Sequence, residues 1–377
     1  MVRRTLTCQE ALSVRAKIDP KYKPIFDQYS QNEMIALIRY FFSSRSAKAM
    51  LKPTRPFVVH LYNIFASQTD FPSGHRYSIN VYAGCSFGCL YCYARGYEPQ
   101  EIHTKKNFKK YITADMMDLE ELGVPPAPVH ISISVDPFQP VEEQVRHTLY
   151  TLREILKHRT RFTTVTVLTK NPLLAAEPAY IELFTQLAEF PDTHPKLRAL
   201  KRKGQPGLIV EVSIAFWREE AACFYDGSSP SIAKRFEGIR LLRRAGIPVV
   251  LRIDPLLPRS PVRDGWPRNM ADFDLPEAQK IDDLVKLVTF AKEVDMPHVV
   301  YSVAKIVQPR GKLTSSMKAL RDVYEACAEL ERLDYRHWRW RLPASVADGK
   351  IVSPFLGICR QRGVLCKHCV QNLIETP

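Results

Sequence analysis

Short β-rich runs alternate with helix-length amphipathic runs between residues 76 and 305, and this alternation constrains the fold more than any other feature of the chain. Helical patterns fill most of the intervals between the runs, at 142–157, 177–189, 231–245 and 278–292. Such alternation is typical of a parallel sheet built from right-handed crossovers. It predicts an α/β fold with six strand–helix units that form a partial (β/α)6 barrel. The six predicted strands are 78–84, 129–136, 162–170, 208–216, 248–257 and 298–305.

The regions on either side of residues 76–305 lack this strand–helix alternation, which predicts that the chain has three parts. Residues 1–75 contain one helix-like stretch and a proline-containing extended segment, and form a predicted N-terminal extension. Residues 76–305 form the predicted barrel. Residues 306–377 contain an amphipathic helix and then a cysteine-rich tail. The proline-rich insert 258–276 has no periodicity, and we interpret it as a loop over the mouth of the barrel.

Polar residues lie at or near the ends of four predicted strands. Asp136 closes the second strand, Lys170 the third, Ser213 lies late in the fourth and Arg252 late in the fifth. In parallel barrels the chemistry gathers at the carboxyl ends of the strands. We therefore expect these four side chains to face one common mouth.

Three cysteines follow the first strand in the segment VYAGCSFGCLYCYARGY, at the spacing C-x3-C-x2-C. Thiolates are soft ligands that select zinc, copper or iron–sulfur clusters. A closed structural zinc site needs four ligands, and a sealed [4Fe–4S] cluster needs four cysteines. Three thiols on one loop leave one coordination position open, where an iron can bind a small molecule. The three residues are Cys85, Cys89 and Cys92.

Two other interpretations of this loop stay open at this point. A structural zinc site completed by a distant histidine or cysteine uses the same thiols. A redox dithiol formed by Cys89 and Cys92 fits less well, because such a motif works as a pair without a third close thiol.

A second group of cysteines closes the chain, at Cys359, Cys366 and Cys369, with the spacing C-x6-C-x2-C. These thiols predict either a second [4Fe–4S] cluster or a zinc site with one further ligand. A fourth cluster ligand would be Cys327 or Cys8. A reduced tail without metal is the remaining alternative.

The net charge of +14 is concentrated toward the two ends of the chain. Residues 1–60 hold 11 lysines and arginines against 4 acidic residues, and residues 300–377 hold 13 against 7. Basic regions of this kind bind nucleic acid, although a soluble basic protein has the same composition. The segment RHWRWR (336–341) interleaves bases with tryptophans, so it would either stack nucleobases or anchor a helix end on the barrel.

Apolar stretches stay well short of the length needed to span a membrane, because polar residues interrupt each of them. The N-terminus has two arginines but no apolar run after them, which is unlike a secretory signal. We therefore expect a cytoplasmic protein with no membrane partner.

Five segments in order between residues 76 and 305 resemble a known family. They read GCSFGCLYCYAR, ISVDPFQPVEEQ, VTVLTKNPLL, VEVSIAF and EGIRLLRRAGIPVVLRIDPLLP. They are similar to the radical S-adenosylmethionine (radical SAM) superfamily and, within it, to the spore photoproduct lyase-like group, often labelled DNA repair photolyases. The resemblance covers over half of the chain.

This resemblance implies an enzyme with two cofactors. A [4Fe–4S] cluster on the three loop cysteines binds S-adenosyl-L-methionine at its open iron. Reductive cleavage of the sulfonium then yields a 5′-deoxyadenosyl radical, which abstracts hydrogen from a substrate. The resemblance also implies an electron donor such as flavodoxin or ferredoxin, and it favours iron over zinc at the tail cysteines.

The resemblance further implies roles for single residues. Tyr91 and Tyr93 match tyrosines near the adenosyl group and the radical relay, which makes them catalytic candidates. Lys170 and Ser213 match positions that contact the methionyl carboxylate, and a lysine there makes independent sense as a cation against a carboxylate. Arg252 and Asp136 are further cofactor-binding candidates. Each of these polar groups would otherwise form an ordinary salt bridge or hydrogen bond inside the barrel.

One departure from the family pattern concerns the substrate. Spore photoproduct lyase uses a cysteine on the second strand as its hydrogen-atom donor, and the matching position here is at or near Ile133. No cysteine occurs between residues 92 and 223, and Cys223 is not on that strand. We therefore expect a different substrate or a different hydrogen donor.

Three hypotheses about function follow from the sequence. The first is a radical SAM enzyme that acts on a nucleic-acid base. The second is a non-enzymatic iron–sulfur or zinc protein that binds nucleic acid. The third is a radical SAM enzyme that acts on a peptide or a small molecule.

Overall fold

The computed structural model describes residues 6–16, 29–41, 58–61, 77–99, 101–258, 270–307, 313–334 and 339–369. Within these ranges, eight strands form one sheet, and five more form two small sheets of three and two strands. In chain order they are β1 (His60–Leu61), β2 (Tyr77–Ile79), β3 (Tyr82–Ala83), β4 (His103–Thr104), β5 (Ala127–Ile131), β6 (Phe162–Thr169), β7 (Leu208–Ser213), β8 (Val249–Leu256), β9 (Val299–Val303), β10 (Ile306–Val307), β11 (Glu331–Asp334), β12 (Arg339–Arg341) and β13 (Cys366–His368).

Helices cover most of the connections between the strands of the main sheet. The α-helices in the described ranges are α1 (Cys8–Ala16), α2 (Gln31–Phe41), α3 (Phe108–Glu121), α4 (Glu142–Val145), α5 (His147–Lys157), α6 (Pro172–Ala175), α7 (Pro178–Ala188), α8 (Pro195–Arg202), α9 (Glu219–Tyr225), α10 (Ile232–Arg244), α11 (Ile281–Glu293), α12 (Ser315–Cys327), α13 (Ala344–Ala347) and α14 (Ser353–Arg362). Single turns of 3-10 helix lie at Tyr93–Gly96, Arg159–Arg161 and Met270–Phe273, and a π-helical turn at Asp348–Val352.

The main sheet has the strand order β1-β2-β5-β6-β7-β8-β9-β13. The seven strands that follow β1 in this order are parallel to one another. β1 pairs antiparallel with β2 at one edge of the sheet. The predicted α/β class and partial barrel are therefore confirmed. All six predicted strands have a counterpart, but the first divides into β2 and β3, which belong to different sheets. The second, β5, ends at Ile131, so Asp136 follows the strand instead of closing it.

A seventh parallel strand comes from the cysteine-rich tail, which the sequence did not predict. β13 pairs with β9 in parallel, so that Cys366 lies opposite Val299 and His368 opposite Tyr301. Three residues, CKH, are too few to show a strand periodicity. The tail therefore closes one side of the partial barrel instead of standing apart from it.

The two faces of the sheet differ in polarity because side chains alternate along each strand. Outward residues such as Val167, Val210 and Leu251 are fully buried against the helices in the main hydrophobic core. The inner face carries buried charged residues, among them Glu211 and Arg252. Buried charges must be paired, so the inner face contains an organised polar site.

The predicted helices also correspond to observed ones. The pattern over 142–157 divides into α4 and α5 at Arg146, whose φ is +54°. Ser231 caps α10, because its Oγ accepts a hydrogen bond from the backbone N of Lys234 at 3.3 Å. The amphipathic helix predicted in residues 306–377 is present as α12.

Part of two sequence interpretations lies outside the described residues. These parts are residues 259–269 of the proline-rich insert and residues 336–338 of the RHWRWR segment. Arg339–Arg341 form β12, which lies between β10 and β11. In the described part of the chain, no helix combines the length and the apolar character needed to cross a membrane.

Candidate functional site

The cysteine loop, residues 84–92, follows β3 and is held by the side chain of Gln139. Its Oε1 accepts a hydrogen bond from the backbone N of Ser86 at 3.0 Å, and its Nε2 donates to the carbonyl of Gly84 at 3.2 Å. Gln139 is fully buried, so this single amide fixes the loop where the first cysteine lies.

A second contact holds the far side of the cysteine loop against the turn after α9. The backbone N of Leu90 donates to the carbonyl of Tyr225 at 2.8 Å, and the N of Ser228 donates to that of Phe87 at 2.8 Å. Gly227 has φ +62°, and a Cβ at this position would lie 2.2 Å from the Phe87 carbonyl oxygen. The turn therefore requires glycine on both conformational and steric grounds.

A cavity of about 180 Å³ opens at the carboxyl ends of the parallel strands. The side chains predicted from strand ends and those of the cysteine loop meet there, although they come from separate parts of the chain. Ten of the twelve predicted site residues line it: Cys85, Cys89, Cys92, Tyr91, Tyr93, Asp136, Lys170, Ser213, Arg252 and Cys369. The other two, Cys359 and Cys366, do not.

Lys170 is the central cation of this cavity. Its Nζ lies 2.9 Å from Ser213 Oγ, 2.8 Å from Tyr91 OH and 2.9 Å from Asp226 Oδ1. The two residues predicted to contact a carboxylate, Lys170 and Ser213, are thus hydrogen-bonded neighbours. An ammonium and a hydroxyl side by side form a suitable site for a carboxylate.

Asp226 and Arg235 form a buried pair behind Lys170, and the sequence interpretation missed both. The Oδ2 of Asp226 lies 2.6 Å from Arg235 Nη1, and both side chains are almost fully buried. Burial opposes ionisation of Asp226, but Lys170 and Arg235 outweigh it and lower the pKa of the carboxyl. Asp226 follows a short helix, not a strand, so no strand-end pattern marked it.

Asp136 connects β6 to the cavity through its two carboxylate oxygens. Its Oδ1 accepts hydrogen bonds from Thr169 Oγ1 at 2.8 Å and from the backbone N of Phe138 at 2.9 Å. Its Oδ2 accepts one from the backbone N of Lys170 at 2.6 Å. Asp136 therefore orients the end of the strand that carries Lys170.

Arg252 is the centre of a second polar group on the inner face of the barrel. It donates through Nη1 to Glu211 Oε2 at 2.6 Å and through Nη2 to Asp254 Oδ2 at 3.0 Å. The Cys369 sulfur lies 2.7 Å from the same Nη2. Burial disfavours the guanidinium charge, but Cys369, Glu211 and Asp254 outweigh it and raise the pKa of Arg252.

The two predicted tyrosines occupy different positions in the cavity. The hydroxyl of Tyr91 donates to Asp226 and accepts from Lys170, so it belongs to the cation cluster. The hydroxyl of Tyr93 donates to the carbonyl of Ile133 at 2.6 Å. Ile133 also lines the cavity, so the position without a cysteine faces the same space as the cysteine loop.

The three cysteines of the loop are free thiols, with Cys89 buried and the other two partly buried. Within the described ranges, no three His, Cys, Asp or Glu side chains are arranged to hold one metal ion. In a [4Fe–4S] cluster each thiolate binds a different iron, so the sulfurs need not converge on one point. Burial raises the pKa of the Cys85 thiol to about 11 and also raises the pKa of Cys89 and Cys92.

The tail cysteines are arranged differently from the predicted metal site, in which all three share one ligand shell. Cys359 of α14 and Cys366 of β13 form a disulfide, with their Cα atoms 6.5 Å apart. Cys369 instead faces the barrel interior beside Arg252. Of the two suggested fourth ligands, Cys327 is buried on α12 and Cys8 is exposed on α1. A second metal site stays a prediction.

No family model matches the chain. An uncharacterized protein of Methanocaldococcus jannaschii is 24% identical over 185 residues. The match covers 49% of this chain and 62% of that protein, which is less than two thirds of its length.

Solved structures of spore photoproduct lyase have a similar fold. A cysteine-to-serine variant superposes with a TM-score of 0.51 at 12% identity, over 80% of this chain and 78% of that one. A double variant with bound AdoMet and dinucleoside spore photoproduct gives 0.50 at 14% identity over the same shares. The complex with dinucleoside spore photoproduct gives 0.51 at 12%, over 80% and 79%. The chain therefore has a fold similar to that of spore photoproduct lyase.

Proposed function

We propose that the chain is a radical SAM enzyme with a [4Fe–4S] cluster on Cys85, Cys89 and Cys92. One observation carries the proposal: the three thiols of the cysteine loop share a cavity with a lysine–serine pair suited to a carboxylate. A cluster held by these thiols would supply the electron that cleaves S-adenosylmethionine to a 5′-deoxyadenosyl radical, which abstracts hydrogen from the substrate.

Lys170 and Ser213 bind the methionyl carboxylate of S-adenosylmethionine in this proposal. The ammonium of Lys170 is only slightly exposed and lies 2.9 Å from Asp226 Oδ1, which fixes its direction. A buried, hydrogen-bonded cation attracts a carboxylate more strongly than an exposed one. Asp136 supports this pair, because its Oδ2 accepts a hydrogen bond from the backbone N of Lys170.

The charges around the cavity compensate one another, and this bears on the substrate. Lys170 faces Asp226, and Arg252 faces Glu211 and Asp254. The part of the cavity beside Arg252, where Glu211 and Asp254 pair with the guanidinium, is therefore suited to a neutral group such as a nucleic-acid base. Because Ile133 offers no thiol, we propose a reaction that differs from thymine-dimer reversal through a donor cysteine at that position. A flavodoxin or a ferredoxin would supply the electron.

The test is reductive cleavage by the full-length protein after anoxic reconstitution. Addition of dithionite and S-adenosylmethionine should yield 5′-deoxyadenosine, even without a substrate. Cys89→Ala should abolish the product, whereas Cys223→Ala should not, since Cys223 is exposed on α9 and lies outside the cavity. A well-loaded cluster that forms no 5′-deoxyadenosine would favour a binding protein without this activity.

The metal content per chain distinguishes a second cluster from a zinc site at the tail cysteines. About four irons per chain indicate one cluster, about eight indicate two, and zinc indicates a structural site at Cys359, Cys366 and Cys369. Substituting these three residues with serine should then remove only the second metal.

A further inference from the structure

The strand β13 has few packing contacts of its own. It contains three residues and lies at the end of the eight-strand sheet, where β9 is its partner in the described part of the chain. Leu365, just before it, is 58% exposed, and His368 is exposed as well. Strands are stabilised mainly by the burial and packing of their side chains. β13 therefore gains little from packing and depends on other contacts to stay in the sheet.

The tail disulfide provides such a contact. It joins Cys366, the first residue of β13, to Cys359, which lies near the end of α14. The helix is firmly packed, because Phe355 is fully buried and its ring lies 5.4 Å from the ring of Tyr301 on β9. The disulfide therefore ties a weakly packed strand to a well-anchored helix.

The far end of β13 forms part of the cavity wall. The backbone N of Cys369 donates to the carbonyl of Tyr301 at 2.8 Å, and the Cys369 sulfur lies 2.7 Å from Arg252 Nη2. Cys369 is 2% exposed and lines the cavity. If β13 leaves the edge of β9, Cys369 leaves Arg252 with it, and the cavity opens on that side.

A reductant can reach the disulfide from one side. Cys366 is partly exposed, whereas Cys359 is 2% exposed. Exchange begins when a thiolate attacks a sulfur that it can reach, which here is the sulfur of Cys366. Cys359 is then the leaving thiolate and takes a proton, and the second thiol of a dithiol reductant releases Cys366. Two electrons reduce the two cysteines to thiols, and the dithiol becomes a disulfide.

We propose that the disulfide between Cys359 and Cys366 is a redox-sensitive switch in the wall of the cavity. The disulfide holds β13 in the sheet, and its reduction by a dithiol frees β13 and withdraws Cys369 from Arg252. This switch is a property of the fold and does not depend on the proposed function. A metal ion on the tail cysteines is the competing arrangement, because it needs thiolates, which a disulfide does not provide.

The first experiment compares oxidised and reduced full-length protein by cysteine labelling. One sample contains no reductant, and the other is treated with dithiothreitol, which is then removed under anoxic conditions. Both react with iodoacetamide in the native state, and mass spectrometry of the peptides gives the labelling rate of each cysteine. In the first sample Cys359 and Cys366 should be linked and unlabelled. Reduction should raise the labelling rate of Cys369 by about tenfold or more, since a buried thiol is labelled only when its segment opens.

Two cysteines outside the tail are internal controls. Cys223 is exposed on α9 and should react at the same rate in both samples, and Cys327 is buried on α12 and should react slowly in both. An equal rate for Cys369 in the two samples would overturn the inference, because β13 would then stay in place without the disulfide. Faster labelling of Cys327 together with Cys369 would indicate general unfolding and would overturn it too.

The second experiment removes the disulfide by combining Cys359→Ser with Cys366→Ser and follows amide hydrogen exchange. The amide of Cys369 donates to a carbonyl of β9, and the amide of Val299 donates to the carbonyl of Leu365 at 2.8 Å. Both amides should exchange about tenfold faster than in the oxidised wild type, because the hydrogen bonds between β9 and β13 open more often.

The matched control combines Cys8→Ser with Cys223→Ser, two exposed cysteines on α1 and α9, and should exchange like the wild type. Equal protection of the Cys369 amide in the two double variants would overturn the inference. Zinc or iron that is present in the wild type and lost in the tail variant would assign these cysteines to a metal site and also overturn it. The labelling experiment uses the wild-type chain, so it does not depend on the folding of a variant.

Discussion

The Oδ1 atom of Asp226 lies 2.9 Å from the Nζ atom of Lys170, although 56 residues separate them in the chain. Lys170 lines the cavity just after β6, and Asp226 lies behind it, after α9. The backbone carbonyl of Asp226 also lies 3.6 Å from the sulfur of Cys89. Asp226 therefore connects the cation of the cavity to the cysteine loop.

Replacing Asp226 with asparagine should destabilise the fold strongly. The change leaves Lys170 and Arg235 without their carboxylate, and removing one partner of a buried ion pair costs about 3–5 kcal/mol. Urea unfolding measures the free-energy loss. Asp295→Asn is the control, because its exposed carboxylate pairs with Arg243 at 3.3 Å and should contribute less than about 1 kcal/mol. Similar losses for both variants would contradict the role of burial.

Replacing Lys170 with methionine should weaken binding of S-adenosylmethionine by about 10- to 100-fold, the range for a lost charged hydrogen bond. Equilibrium binding to the anoxically reconstituted protein measures the change. Lys170→Arg keeps the charge and should recover part of the affinity. Lys234→Met, at an exposed position on α10, should bind normally. An unchanged affinity of Lys170→Met would remove Lys170 from the cofactor site.

Replacing Gly227 with alanine should displace the cysteine loop. The added Cβ would lie 2.2 Å from the carbonyl of Phe87, whereas at Gly246, where φ is +77°, a Cβ meets nothing within 4 Å. Both variants carry the same left-handed strain of about 1 kcal/mol, so their difference isolates the steric clash. We expect Gly227→Ala to lose bound iron and melt at a lower temperature than Gly246→Ala. Equal iron content would show that the loop tolerates the shift.

His147 should make the fold sensitive to mild acid. Its ring is buried between Tyr82 and Phe108, and burial, aided by Lys109 and Lys105, lowers its pKa from 6.5 to about 4. Below pH 6.5 the unfolded chain binds a proton that the folded chain does not. Stability should therefore fall as the pH drops from 6.5 toward 4.

For His147 alone the loss between pH 7 and 5 should be about 2 kcal/mol. Urea unfolding at the two pH values measures it, and His147→Phe should remove this share of the dependence. His103→Gln, at an exposed position on β4, serves as the control. If the free energy of unfolding of His147→Phe depends on pH as steeply as that of the wild type, the acid sensitivity belongs to other groups.

Much of the barrel could be predicted because its signals are local. The runs that became β6 and β8 are long and β-rich, and the helices between them show clear periodicity. Strand ends in a parallel barrel meet at one mouth, so Asp136, Lys170 and Arg252 could be placed together without coordinates. β13 could not be predicted, because three residues form a strand there only through the edge of β9.

The supporting residues of the site depended on long-range packing. Arg235 lies on a helix, among other basic residues of α10, and nothing in its neighbourhood of the sequence distinguishes it. Glu211 lies within an apolar strand, where the pattern alone gives no partner. Their pairing with Asp226 and Arg252 arises because neighbouring strands and helices bring distant residues within hydrogen-bond range.

The sequence by itself determined the α/β alternation, the open set of three thiols and the strand ends at which polar groups gather, since each depends on spacing within a short segment. Only the tertiary structure decided that Asp226 pairs with Lys170, and that Cys369 faces the barrel interior while Cys359 and Cys366 form a disulfide. The physical reason is that a charge inside a fold must find its partner in three dimensions, and that partner is seldom near in the chain.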